Sequence, residues 1–158
     1  MNKVTDKQIS PVIRVRVSVI LQRKDGRVCF VRHNKNGKIY WLLPGGGQDP
    51  FESATETARR ELREELKLEL SGNSLQLAFI RESFNAEIGR HIQFLVFKGE
   101  CADFDSIGVG EDERVEGYDF FDAEELGDKP VYPAIKEDIF AYLNDKDNFN
   151  FKTLEWIP

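Results

Sequence analysis

Three glutamates, Glu61, Glu64 and Glu65, stand at i, i+3 and i+4 in a stretch whose other residues favour helix. At 3.6 residues per turn, Glu64 and Glu65 fall about 60° to one side and about 40° to the other of Glu61. All three carboxylates therefore project from one patch. Like charges at these spacings cost a helix roughly 0.2–0.5 kcal/mol per pair, and Arg60, four residues before Glu64, offsets part of that cost. Such a face is either solvated surface or a site for a hard divalent cation, because carboxylate oxygens are the donors Mg²⁺ selects. Helix geometry alone leaves both open.

The helix itself is well specified. Ser53 and Glu56 form an S-x-x-E capping box, Pro50 helps end the preceding segment, and no glycine or proline interrupts Ala54 to Leu68. In front of it runs the glycine-rich loop Gly45-Gly46-Gly47. Starting at Gly46 the chain reads G-x5-E-x7-R-E-L-x-E-E, filled by Gly46, Glu52, Arg60, Glu61, Leu62, Glu64 and Glu65 and closing on Leu68.

This pattern, preceded by Trp41-Leu42-Leu43-Pro44-Gly45, resembles the signature of the Nudix hydrolases, which act on nucleoside diphosphates linked to another moiety. The box spans residues 46–68, about a seventh of the chain. Lys67 stands where a glycine is expected, and Phe51 where a glycine is common. The resemblance implies an α/β fold, an α/β/α sandwich with a mixed β-sheet, filling one domain over residues 1–158. It implies Mg²⁺ or Mn²⁺ as cofactor, with Glu61, Glu64, Glu65 and the Gly45 carbonyl as ligands. Arg60 and Glu52 are expected to brace loop against helix through a salt bridge. In some relatives the counterpart of Glu61 serves as general base, in others a glutamate on a later loop. Here that loop offers Glu111, Asp112 and Glu113, with Glu116 shortly after, and Glu113 ranks first.

Arg14, Arg16 and Arg32 are the basic side chains placed to reach phosphate if their strand faces open toward the helix, since guanidinium matches phosphate bidentately. Arg16 and Arg32 are taken as substrate contacts. His33 and His91 have no partner at metal-ligand spacing and read as structural. Tyr40, Trp41 and Phe84 could stack on a nucleobase but read as core aromatics. The competing function is a catalytically silent sensor on the same fold, suggested only by Lys67 and Phe51. A prenyl-diphosphate isomerase is disfavoured because neither Cys29 nor Cys101 has the context of its catalytic cysteine. The stretch Ile80–Ala86 has no proline, which counts against the ADP-ribose subgroup.

With 158 residues and 41% hydrophobic content the chain can bury a substantial core. A net charge of −6 without a basic run argues against binding a nucleic acid backbone. Two lone cysteines give neither a zinc site nor a disulfide framework. With no apolar signal core and no membrane-length apolar run, a cytoplasmic location is expected. A small nucleotide is the expected partner, and a homodimer the favoured assembly.

Periodicity predicts strands over 12–20, 27–32, 38–43, 75–84, 91–100 and 115–121. Residues 1–10 read as loose, 71–74 as a break and 101–113 as a surface loop. A helical turn is expected at 123–126 and a helix from Pro133 to about Asn144. The apolar tail from Phe149 to Pro158 is expected to dock on the body or on a second subunit.

Overall fold

The computed structural model describes residues 12–70 and 74–157. The expectations for 1–10 and for most of the 71–74 break lie outside the described residues. The elements are β1 (Ile13–Leu21), β2 (Val28–Lys35), β3 (Lys38–Leu42), β4 (Gly45–Gly47), α1 (Ala54–Leu66), β5 (Gln76–Asn85), β6 (Arg90–Gly99), β7 (Val115–Phe121), α2 (Ala123–Leu126), α3 (Lys136–Asn144) and β8 (Phe151–Thr153). A 3₁₀ turn covers Phe104–Ser106.

The expected mixed sheet is present, and beside it the described strands make a second, smaller sheet. A mixed five-stranded sheet has the order β4-β1-β6-β5-β8, and an antiparallel three-stranded sheet has the order β3-β2-β7. Strand β1 runs parallel to β6 and antiparallel to β4. Its alternation explains the layering. Val17, Val19 and Leu21 join Cys29 and Val31 of β2 against Ala58, Leu62 and Leu66 of α1. Ile20, Val28 and Phe30 point the other way, into a second core with Ile135, Ile139 and Tyr142 around α3. Helices thus cover opposite faces, and β1 and β2 are apolar on both sides because both are buried.

Two further differences bear on the site. The glycine loop is in part a strand: β4 hydrogen-bonds to β1, with Gly45 opposite Ser18 and Gly47 opposite Arg16. Glycine's low strand propensity hid this short edge pairing. Helix α1 stops at Leu66 because Lys67 adopts a left-handed conformation, φ 53°, where the resemblance expects glycine. Phe51, the other departure, also has positive φ, 65°. The glycine preference at both positions is therefore a backbone requirement.

The tail docks on its own body. Strand β8 pairs in parallel with β5, and Leu154 packs against the second core. No helix among the described residues is long and apolar enough to cross a membrane.

Candidate active site

Helix α1 opens with the expected capping box: the Ser53 hydroxyl accepts from the Glu56 N–H, and the Glu56 carboxylate accepts from the Ser53 N–H. This fixes the helix start directly behind the β4 strand, and the rotation of α1 then sorts its three glutamates. Glu61 and Glu65 are 3% and 0% exposed and face β4, whereas Glu64, 100° further round from Glu65, is about half exposed at 48%. The Gly45 N–H donates to Glu65 Oε2 at 2.8 Å. A Cβ on Gly46 would lie 2.2 Å from Glu61 Oε1, so any larger residue here would push that carboxylate from its place.

Arg60 holds this corner together. Its guanidinium donates to both oxygens of Glu52 at 3.0 and 3.1 Å, to Glu61 Oε1 at 2.8 Å, to Glu64 Oε2 at 3.3 Å and to the Gly47 carbonyl at 3.0 Å. One side chain thereby ties the loop before α1, the β4 strand and two of the three glutamates. Its pairing with Glu52 and Glu61 raises its own pKa further.

The loop beyond β6 brings in a third carboxylate. Its N–H groups cap the end of α1: Gly108 donates to the Leu66 carbonyl at 3.0 Å, Gly110 to Glu65 at 2.9 Å and Asp112 to Glu64 at 3.3 Å. These are the carbonyls a helix C-terminus leaves without partners. A Cβ on Gly110 would fall 1.9 Å from the Glu64 carbonyl oxygen, so glycine is needed for this docking. The result is a cluster in which ligand-type oxygens of Glu61, Glu65 and Asp112 all lie within 4.8 Å of one another. Arg114 clamps Asp112 at 3.0 and 2.7 Å and lowers its pKa.

Glu113 and Glu111, one residue to either side, are exposed. The geometry therefore gathers Asp112, not Glu113, with the helix carboxylates, because the turn that caps α1 aims residue 112 inward. Glu116 instead lies 3.7 Å from Arg32.

Burial dominates the electrostatics. It raises the Glu65 carboxyl to about 8 from an ordinary 4.5, against the lowering effect of the Gly45 N–H. Glu61 is raised by the same cause, with Arg60 opposing it. Each keeps one buried oxygen, Glu61 Oε2 and Glu65 Oε1, without a hydrogen-bond partner among the described residues. His33, which had no metal-spaced neighbour in the sequence, comes to 4.0 Å from Glu65 Oε1. It is buried, and burial lowers its pKa. Only the β2–α1 packing reveals this approach.

The two arginines part ways. Arg16 donates to the Gly45 carbonyl at 3.2 Å, at the edge of the carboxylate cluster. Arg32, the residue before His33 on β2, points to the opposite face of that strand, toward Glu116. A cavity of about 890 Å³ opens between strands of the two sheets, lined by Tyr40, Ile92, Tyr132 and, from the tail, Trp156. Ring contacts lead from it to the carboxylates: Tyr132 lies 6.5 Å from Tyr40, and Tyr40 lies 5.7 Å from His33. Trp41 by contrast is edge-on to Phe121 at 4.9 Å in the second core. Phe84 is exposed beside His91.

The family model of the NUDIX domain matches residues 12–143. The chain belongs to the NUDIX family. A NUDIX hydrolase from Nitrosomonas europaea has a similar structure, with a TM-score of 0.72 and 18% identity over 87% of this chain and 93% of that one. A MutT NUDIX hydrolase from Burkholderia pseudomallei superposes with a TM-score of 0.69 and 25% identity, covering 82% of this chain and 97% of that one. The RNA pyrophosphohydrolase of Pelagibacter ubique (strain HTCC1062) is 25% identical over 99 residues, 61% of this chain and 59% of the relative. The match thus spans under two thirds of that relative's length.

NUDIX hydrolases generally use divalent metals, and the residues here fit one. Two buried carboxylate oxygens lack partners, a third carboxylate stands within reach, and all are hard oxygen donors of the kind Mg²⁺ and Mn²⁺ select. An unpaired buried carboxylate is costly, and a cation is the ordinary way to offset it.

Proposed function

We propose that this NUDIX protein is a Mg²⁺- or Mn²⁺-dependent pyrophosphohydrolase that cleaves the diphosphate linkage of a nucleoside diphosphate joined to another moiety. The observation that carries this reading is the convergence of Glu61, Glu65 and Asp112, with unpartnered buried oxygens on the first two. Glu61 and Glu65 would hold the ion from the buried side. Glu64, half exposed, and the Gly45 carbonyl would be the further ligands.

When bound, a divalent ion supplies charge neutralisation at phosphate oxygens and polarises water for attack at phosphorus. The remaining tasks fall to the chain. Arg60 fixes the rotamers of Glu61 and Glu64 and so sets where an ion can sit. Arg16 is placed to orient a phosphate oxygen beside Gly45. Asp112, held ionised by Arg114, is the loop carboxylate positioned to accept a proton from attacking water. Glu113, exposed to solvent, lies outside the gathered set of oxygens. The aromatic cavity beside the cluster receives the nucleoside, and its size falls within the range of small-molecule sites.

Lys67 and Phe51, which suggested a silent sensor, replace no carboxylate and occupy positive-φ backbone positions outside the set of gathered oxygens. Incubation with Mg²⁺ and a panel of nucleotide sugars, dinucleoside polyphosphates, NADH, ADP-ribose and nucleoside triphosphates tests the reading. At least one is expected to release two phosphate-bearing products, with none released by chelator-treated protein. Binding without turnover across the whole panel would leave the sensor instead.

A further inference from the structure

The cavity changes character along its length, and both walls change in the same direction. On β6 the residues of one face are Phe94, Ile92 and Arg90, running outward from the core to the hairpin tip. On the opposite wall His33 pairs with Tyr40, and two residues further out Lys35 pairs with Lys38. Two strand residues correspond to about 7 Å. Each wall therefore begins aromatic beside the carboxylate cluster and ends in cations at its outer rim.

Lys35, Lys38 and Arg90 line that rim, and among the described residues no aspartate or glutamate lines the cavity. The chain as a whole has 28 acidic and 22 basic side chains, so this excess of positive charge is local. Most arginines of the protein are committed to carboxylates, as Arg23 is to Asp25, Arg27 to Glu125 and Arg114 to Asp112. Lys35, Lys38 and Arg90 have no ion pair or side-chain hydrogen bond among the described residues. Three uncommitted cations closing an aromatic cavity complement an anionic group attached to a flat, stackable one.

We propose that the cavity accepts a nucleotide bearing a second phosphate on its sugar, remote from the diphosphate, and that Lys35, Lys38 and Arg90 receive that phosphate. This names the substrate class of the site and rests on the pyrophosphohydrolase reading for the position of the diphosphate. It follows that the same nucleoside diphosphate without the extra phosphate is the poorer ligand.

Titration calorimetry on the intact protein with Mg²⁺ tests this without turnover. The probes are adenosine 5′-monophosphate, adenosine 3′,5′-bisphosphate and the dinucleotide pApA, with their counterparts in the other three bases. For at least one base the bisphosphate, the dinucleotide or both are expected to bind roughly tenfold or more tighter than the monophosphate. A dinucleotide that gains as much as the bisphosphate marks a phosphodiester as the second anion, and a bisphosphate gain alone marks a phosphomonoester. Lys38→Met and Arg90→Met, both at exposed hairpin positions, should shrink the gap to under about threefold while leaving monophosphate affinity in place. Equal binding of the three probes, a gap that survives both variants, or no binding at all would overturn the proposal. A protein that shows the gap yet hydrolyses no diphosphate would overturn the reading of the carboxylate cluster and leave the rim assigned.

Discussion

The two ends of the cleft hold their charges in opposite ways. At the α1 end Glu61 and Glu65 are buried to 3% and 0% exposure, Arg60 hydrogen-bonds to four separate partners, and Asp112 is fixed by Arg114. At the hairpin end Lys35, Lys38 and Arg90 stand exposed without a partner among the described residues. The first end is built before anything binds, at the cost of carboxylates held out of water. The second spends nothing on the fold and waits for a ligand. Rigid geometry is required where phosphorus is attacked, whereas recognition of a distant phosphate tolerates flexible side chains.

That contrast can be broken most severely at Glu65. Glu65→Gln keeps the shape and removes a charge an ion needs, so turnover should fall by about a thousandfold, in line with the several kcal/mol of Lewis-acid stabilisation lost. Steady-state assays with saturating Mg²⁺ read this, and nucleoside binding in the cavity should be unchanged. Retention of most activity would mean the buried end is structural.

The same residue sharpens the comparison through pH. Its folded-state pKa of about 8 lies above the ordinary 4.5 expected when unfolded. The stabilising contribution is then fully present below the unfolded value and is lost as pH rises through about 8. With chelator present, the wild type should therefore lose roughly a few kcal/mol of stability between about pH 5 and 9 relative to Glu65→Gln. Denaturant unfolding at several pH values measures it. Parallel curves for the two proteins would show that Glu65 titrates normally.

A smaller effect is expected at the open end. Trp156→Ala removes one aromatic wall contributed by the tail, and base stacking is worth about 1–3 kcal/mol. KM should rise roughly five- to 150-fold by that figure, with kcat close to wild type. A fall in kcat with KM fixed would place Trp156 outside the nucleoside site. Least of all, Lys67→Gly should stabilise the protein by about 1 kcal/mol by relieving a left-handed residue at the end of α1. No gain in the unfolding midpoint would mean that Lys67 carries no backbone strain.

How much of this could be read in the chain depended on sequence separation. Helix α1, its capping box, the Arg60–Glu52 brace and the acidic patch all lie within the box and obey local rules, so they were legible. The strands β1, β6 and β7 followed from alternation and β-branched residues. The inward turn of Asp112 was not legible against Glu113, because it depends on three N–H groups of a distant loop meeting the carbonyls of α1. The approach of His33 to Glu65 joins residues 32 positions apart on different elements, and no spacing rule reaches that far. The cavity was hidden for the same reason, since Tyr40, Ile92, Tyr132 and Trp156 meet only through the packing of two sheets and a tail. Arg32 failed a simpler test: the two faces of β2 are both buried near its start, so alternation alone could not say which side faces α1.

The most direct measurement is a diffraction experiment on crystals soaked in Mn²⁺, read at the manganese absorption edge. The expected result is an anomalous peak in contact with Glu61 and Glu65, at oxygen distances of about 2.0–2.2 Å, with Glu64 and the Gly45 carbonyl turned toward it. A peak only at solvent-exposed carboxylates such as Glu113, or none at any concentration that supports turnover, would contradict it.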